Sequence, residues 1–192
     1  MTLELAVAII IPALWLAWLV YWWYSARDVK KTSRPESVRS RLKHRIPMVL
    51  GALCLAAPRL VPKVLTRRFL PSSIGVLVLG TVLLAMGLGL SVWARRHLGR
   101  NWSVQVVVKE DHALIRSGPY RYVRHPIYTG ILLAFLGMAV TIGEWRALVG
   151  LGFAVLSFAV KSRAEESRMR ETFPVEYPEY QRETAALIPY VY

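Results

Sequence analysis

The sequence is poor in cysteine and in acidic residues. Its one cysteine, Cys54, excludes an intramolecular disulfide and a cysteine-based zinc or iron–sulfur site within one chain. Twelve acidic residues accompany 25 lysines and arginines, so the formal net charge is +13. Charged residues make up only 19% of the chain and apolar residues 55%, against roughly 25% and 45–50% in soluble domains. This composition excludes disorder, and it favours a membrane protein over a nucleic-acid-binding one because the charges lie between long apolar runs.

Several familiar catalytic motifs are also missing. The sequence contains no Gly-rich phosphate loop, no Gly-x-Ser-x-Gly elbow and no His-Glu-x-x-His helix. The four histidines have no metal-ligand spacing, so we expect no metal site; they are His44, His97, His112 and His125. We interpret His44 and His97 simply as members of basic loops.

Four apolar runs predict membrane-spanning helices, since a span needs about 17–25 mostly apolar residues. They cover residues 3–24, 70–93, 127–143 and 147–160. A fifth run, 46–61, is interrupted by Pro58 and Arg59, and it is either a span or a re-entrant segment. The fold class predicted is therefore an all-α integral membrane protein with about five transmembrane helices.

The distribution of basic residues favours five spans. With five spans, 20 basic residues share one side and 5 lie on the other. The positive-inside rule then places the N-terminus outside and the C-terminus in the cytoplasm of a multi-pass protein. Two units follow: residues 1–93, with three spans and a basic cytoplasmic loop 25–45, and residues 94–192, with a loop, the helical hairpin 127–160, a cytoplasmic helix and a tail.

Two polar segments, 100–128 and 161–192, flank the hairpin, which brings them to one membrane surface. Together they predict a cytoplasmic pocket. His125 precedes Pro126, which suits the first position of a helix. Lys161 and Glu165 are four residues apart and share a helix face.

Two simpler interpretations stay open for these segments. The first segment contains residue types common in an interfacial anchor, and the second those of a solvated, salt-bridged helix end. We expect that second helix to end before Pro174 and to be followed by an irregular tail containing Tyr177 and Tyr180.

The order of these motifs resembles a known family. Gly118-Pro119-Tyr120, then His125-Pro126-x-Tyr128-x-Gly130, precede an apolar hairpin; Glu165-Glu166, Phe173, Tyr177, Tyr180 and Leu187-Ile188-Pro189 follow it. This pattern resembles the isoprenylcysteine carboxyl methyltransferase family, which is similar to membrane phospholipid methyltransferases. The resemblance covers residues from about 100 to 190, half of the chain.

The resemblance implies S-adenosylmethionine as methyl donor, with S-adenosylhomocysteine as product. It implies cofactor contacts at Gln105, His112, Ala113, Leu114, Ile115, Tyr120, His125, Pro126, Ile127, Tyr128, Glu165 and Glu166. Lys161 stands where the family has an acceptor-binding arginine, and Arg163 lies nearby. Lysine lacks the bidentate fork that suits a carboxylate, so this departure leaves the acceptor group open.

The resemblance further implies membrane lipids and a lipophilic or prenylated acceptor as partners, and no nucleic acid. The expected reaction is carboxyl methylation of a lipid-anchored acceptor. Phospholipid N-methylation and thiol S-methylation are alternatives within the same chemistry. Two further alternatives belong to other classes: an NADPH-dependent membrane sterol-type reductase and a non-catalytic scaffold.

Overall fold

The computed structural model describes residues 3–27, 37–99 and 114–189, and within these ranges the regular secondary structure is helical apart from two isolated β-bridges. The α-helices of the described ranges are α1 (Leu3–Ser25), α2 (Val38–Ala56), α3 (Ile74–Leu98), α4 (Pro126–Ile142), α5 (Trp145–Thr172) and α6 (Glu176–Glu183). Short 3-10 turns occupy Pro58–Leu60, Lys63–Thr66 and Gly118–Arg121. The all-α class is confirmed for these ranges.

Three helices, α1, α3 and α5, are long and apolar enough to cross a membrane, and α4 is apolar but has 17 residues. Several helix boundaries differ from the predicted runs. Residues 38–45, expected in a loop, form the start of α2, because the Ser37 hydroxyl accepts a hydrogen bond from the Ser40 amide. The helix α3 runs on to Leu98 rather than 93, and α2 ends at Ala56, before Pro58.

The helices α3 and α4 run antiparallel in close backbone contact. Gly80 and Gly87 lie seven residues apart on α3, and they face Gly137 and Gly130 on α4. A Cβ atom on Gly87 would come within 2.4 Å of the Ala134 amide nitrogen. Small residues at this spacing let two membrane helices approach closely, where dispersion contacts hold them together.

The helices α2 and α5 form a second antiparallel pair. Gly51 packs on Gly150, and the Ser157 hydroxyl donates to the backbone carbonyl of His44 at 2.6 Å. His44 is buried, so its interpretation as a basic-loop residue was wrong. Outside these pairs, α1 packs against α3, where the Trp18 indole donates to the Ser91 hydroxyl at 2.7 Å.

Arginine side chains bind carbonyl groups at the ends of the helices. Arg95 donates to the carbonyls of Ser25 and Gly99, at the ends of α1 and α3. Arg146 donates to Cys54 and Leu55 at the end of α2. The last carbonyls of a helix have no partner within it, and an arginine satisfies both their hydrogen bonding and the negative end of the helix dipole.

We predict that Gly87→Ala destabilises the protein whereas Gly89→Ala does not. At Gly87 the new methyl group meets the backbone of α4, which costs about 1–3 kcal/mol in overpacking. At Gly89, on the same helix, a Cβ meets no other heavy atom within 4 Å, so the substitution gains only the helix propensity of alanine. Thermal unfolding in detergent measures both variants, and equal midpoints would contradict the proposed contact.

Candidate active site

The turn before α4 is held by the chain segment that follows α6. The amides of Arg124 and His125 donate to the carbonyls of Ala185 and Ala186 at 2.9 and 3.0 Å. The Tyr180 hydroxyl donates to the Tyr120 carbonyl at 2.5 Å. The described parts of the two polar segments therefore lie together at one end of the α4–α5 hairpin.

The prediction of an irregular tail around Tyr177 and Tyr180 was wrong, because both residues lie in α6. Pro178 sits in the first turn of that helix, where a missing amide hydrogen does no harm. Both tyrosine rings are buried. Burial raises the pKa of Tyr180 to about 12, so its hydroxyl keeps the proton that it donates to Tyr120. The end of α5 at Thr172, before Pro174, agrees with the sequence prediction.

Glu166 is hydrogen bonded through both carboxylate oxygens. Its Oε1 accepts from Arg124 Nε at 2.8 Å and from His125 Nε2 at 3.2 Å. Its Oε2 accepts from Gln181 Nε2 at 2.9 Å. Glu166 thus joins α5, the turn before α4 and α6 in one buried network.

The Glu165 side chain is more exposed than that of Glu166, and fewer protein groups donate hydrogen bonds to it. Its side chain is 22% exposed, against 12% for Glu166. Its Oε1 accepts from the Tyr128 hydroxyl at 2.5 Å, and Lys161 Nζ lies 3.9 Å away. Its Oε2 lies 3.5 Å from His125 Nδ1, a long contact that is still within ion-pair distance. Glu165 is therefore the carboxylate with capacity for a ligand.

His125 lies between the two carboxylates, with one ring nitrogen toward each. Burial alone would lower the pKa of its imidazole, but the hydrogen bonds and charges of Glu165 and Glu166 outweigh burial and raise it. An imidazolium carries a proton on both nitrogens, so it can face a carboxylate on each side. The side chain therefore favours the charged form.

A column of aromatic rings extends from His125 into the hairpin. The rings of His125 and Tyr128 are parallel with centroids 5.3 Å apart, and Tyr128 stacks on Phe158 at 4.5 Å. Lys161 Nζ lies 5.2 Å from the centroid of the Tyr128 ring. Arg163, the other predicted acceptor-binding residue, is exposed on a different face of α5.

The other predicted residues divide into packed and undescribed ones. Pro126 and Ile127 are buried at the start of α4, and Tyr120 is buried with its hydroxyl 3.4 Å from the Ala94 carbonyl. Leu114 and Ile115 are partly buried. The expected contacts at Gln105, His112 and Ala113 lie outside the described residues.

Sequence reasoning missed Arg124, Gln181 and His97. Arg124 and Gln181 hold Glu166, and the position of Arg124 beside His125 was the available signal. His97 is in α3, not in a loop, and its Nε2 lies 2.8 Å from the Ser117 hydroxyl. Its ring packs on Gly118, where φ is +59° and a Cβ would meet the imidazole at 2.6 Å.

We predict that His125→Gln destabilises the protein most at low pH. A raised folded-state pKa contributes stability that is fully present below the ordinary histidine pKa and is lost as pH rises through the folded value. Groups facing His125 are Glu165 and Glu166 on α5 and Arg124 and Tyr128 around it. Each hydrogen bond to a charged group contributes about 1.5–3 kcal/mol. Thermal midpoints in detergent between pH 5.5 and 9 measure the effect. A difference in midpoint between wild type and variant that stays constant over this range would contradict the ion pairs of a charged His125.

The region that contains this site is similar to known methyltransferases. The family described as phospholipid methyltransferase matches residues 76–176. Protein-S-isoprenylcysteine O-methyltransferase of Saccharomyces cerevisiae is 31% identical over 117 residues, covering 59% of this chain and 49% of that protein. The Arabidopsis thaliana protein-S-isoprenylcysteine O-methyltransferase A is 31% identical over 96 residues, covering 48% and 49%.

A third relative carries a different name. The cobalt-zinc-cadmium resistance protein CzcN of Cupriavidus metallidurans is 35% identical over 95 residues, covering 48% of this chain and 43% of that protein. The chain spans about half the length of the curated relatives it matches. No group of three potential metal-ligating side chains occurs among the described residues.

The matched region runs from α3 through the hairpin to the start of α6, and it contains the His125, Glu165 and Glu166 cluster. The chain is therefore an integral membrane protein that belongs to the phospholipid methyltransferase family and is related to the isoprenylcysteine methyltransferases.

Proposed function

We propose that the protein is a membrane methyltransferase that uses S-adenosylmethionine and a lipidic or lipid-anchored acceptor. The observation that carries this proposal is the convergence of His125, Tyr128 and Glu165 at the end of the α4–α5 hairpin. The end of a membrane-spanning hairpin lies at the membrane surface, which both a water-soluble donor and an acceptor within the bilayer can reach. Family membership supports the reaction class.

The residues present fit the donor. S-adenosylmethionine supplies a methyl group activated on a sulfonium, together with hydroxyl and ammonium hydrogen-bond donors. Glu165 offers a partly exposed carboxylate that can accept from such donors. Tyr128 and His125 hold that carboxylate in place. The expected contacts at residues 105 and 112–115 belong to the same proposal.

The two glutamates have different roles in this proposal. Glu165 contacts the cofactor. Glu166 is a positioning residue, because its two oxygens already accept three hydrogen bonds from protein groups. Transfer of a methyl group to an acceptor needs mainly proximity and alignment, so a rigidly held His125 and Glu165 serve the reaction by fixing geometry.

Lys161 is the better placed of the two candidate acceptor-binding residues. Its side chain is 14% exposed and points toward Glu165 and the Tyr128 ring, whereas Arg163 is exposed. An ammonium can bind a carboxylate acceptor as a point charge. The favoured reaction is therefore methylation of a lipid-anchored carboxylate, such as a prenylcysteine. Methyl transfer to a carboxylate releases no proton, so no general base is needed.

We further propose five membrane-crossing segments, with the N-terminus outside and the C-terminus in the cytoplasm. The contact between Arg95 and Ser25 supports this arrangement at one end, since it joins the ends of α1 and α3. At the other end, Arg146 joins the end of α2 to the start of α5. The hairpin, the loop before it and the tail then form one cytoplasmic catalytic unit.

Glu165→Gln is expected to weaken binding of S-adenosylhomocysteine at least ten-fold, because a neutral amide loses charge-assisted hydrogen bonds worth about 1.5–3 kcal/mol. Isothermal calorimetry of detergent-purified protein measures it. Glu171→Gln, an exposed substitution on the same helix, serves as the control.

Three results would contradict the cofactor proposal. They are absence of S-adenosylhomocysteine binding to the wild type, equal affinities for both glutamine variants, and tighter binding of NADPH than of S-adenosylmethionine. The last result would indicate a reductase. Binding without methylation of any acceptor would indicate a non-catalytic component.

Lys161→Met is expected to raise the KM for a prenylcysteine acceptor about ten-fold while leaving S-adenosylhomocysteine affinity within two-fold, because one ion pair at a partly buried site contributes about 1–2 kcal/mol. Arg163→Gln provides the matched loss of charge at an exposed position. Transfer of radiolabelled methyl to prenylcysteine, phosphatidylethanolamine and a small thiol measures the preference. Equal effects of the two substitutions, or methylation of the amine or thiol alone, would contradict a carboxylate acceptor at Lys161.

A further inference from the structure

A groove of about 550 Å³ lies at the start of α5, at the opposite end of that helix from Glu165. It is lined by Val64, Leu65, Arg67, Trp145, Leu148 and Val149. Five of these side chains are apolar or aromatic, and several are open to the surroundings: Val64 is 61% exposed and Trp145 50% exposed. The groove thus has an apolar floor with one arginine at its edge.

The backbone on both sides of the groove is fixed by hydrogen bonds. The Trp145 amide donates to the Arg67 carbonyl at 3.2 Å, and the Phe69 amide donates to the Gly143 carbonyl at 2.8 Å. Arg68 is engaged with the carbonyls of Leu70 and Ile142. The neighbouring Arg67 is exposed and lines the groove. The groove is preformed, so binding of a ligand costs little conformational entropy for ordering it.

The charge around the groove is positive. The sequence from 37 to 109 contains no aspartate or glutamate. The connection between α2 and α3 carries Arg59, Lys63, Arg67 and Arg68, and of these Arg67 lines the groove. Glu144, which lies next to Trp145, is paired with Arg146 at 2.6 Å. The edge of the groove therefore attracts an anion.

The position of the groove along α5 indicates where that anion comes from. Glu165 lies twenty positions after Trp145 on the same helix, and at 1.5 Å per residue this is about 30 Å, the thickness of a bilayer's hydrocarbon core. The groove is thus at the level of the lipid headgroups on the membrane surface opposite the candidate active site. Exposed tryptophan is common at that level.

We propose that this groove binds an anionic glycerophospholipid, with the headgroup phosphate at Arg67 and an acyl chain along Val64, Leu148 and Val149. A free anion would use only the arginine and would leave the apolar floor uncovered. A zwitterionic lipid offers the same phosphate, but its headgroup cation offsets that charge and is repelled by the basic connection that carries Lys63, Arg67 and Arg68. An anionic lipid satisfies both parts of the groove, and the site is independent of the methyltransferase reaction.

Native mass spectrometry of the detergent-purified full chain, titrated with phosphatidylglycerol, phosphatidylcholine or glycerol 3-phosphate, tests the proposal. We expect phosphatidylglycerol to bind more tightly than the other two. Arg67→Gln should weaken it about five-fold, the effect of one basic residue at an anionic headgroup. Arg59→Gln removes the same charge from an exposed position outside the groove and should change the affinity less than two-fold.

A substitution in the apolar floor completes the test. Val64→Ser should weaken the binding of phosphatidylglycerol but not the binding of glycerol 3-phosphate. Equal effects of Arg67→Gln and Arg59→Gln would indicate general attraction to charge and would overturn the proposal, as would equal affinity for phosphatidylcholine or full competition by glycerol 3-phosphate. Thermal midpoints confirm that the variants are folded. Glu165→Gln should leave lipid binding unchanged, which separates this result from the fate of the proposed reaction.

Discussion

The structure of the candidate site depends on one buried charge arrangement, the bridge from His125 to Glu165 and Glu166. A histidine buried beside two carboxylates is stable only as part of a network in which donors and acceptors are matched. Arg124 and Gln181 complete that network on Glu166, and Tyr128 completes it on Glu165. The start of α4, the end of α5 and α6 therefore have one relative position in which these groups meet, and Glu165 keeps capacity for a ligand.

His125 can reach the two glutamates only because the membrane helices that carry them pack closely. The glycines of α3 and α4 bring two backbones into contact, and Gly51 with Gly150 does the same for α2 and α5. In a lipid environment this packing supplies stabilisation that the hydrophobic effect does not, since lipid is as apolar as the helix surface. The packed pairs fix where His125 and Glu165 can meet, and the polar network then fixes how they meet.

Local patterns made much of this predictable from sequence. The runs of apolar residues gave α1 and the hairpin, and Pro126 and Pro174 marked the start of α4 and the end of α5 closely. The i, i+4 spacing gave the Lys161 and Glu165 contact at 3.9 Å. Contacts between distant segments have no such periodicity. The pairing of Arg124 with Glu166, the docking of residues 185–186 on the turn, and the packing of His97 on Gly118 depend on tertiary structure. The α6 helix was missed because two prolines within five residues are more typical of irregular chain.

Some of the basic residues stabilise the fold, a role that counting the charges on each side of the membrane does not reveal. Four arginines bind carbonyls at the ends of helices: Arg95 at the end of α1, Arg146 at α2, Arg68 at α4 and Arg124 at α6. Near a bilayer these carbonyls have little access to water, and an unsatisfied one costs several kcal/mol. Arginine suits them because its side chain donates in several directions and stays charged at any physiological pH. Among the described residues, at least these four of the chain's 25 basic residues thus contribute to the scaffold. Among the described residues, the two basic side chains to which we assign ligands are Lys161 beside the candidate active site and Arg67 at the groove some 30 Å away along α5.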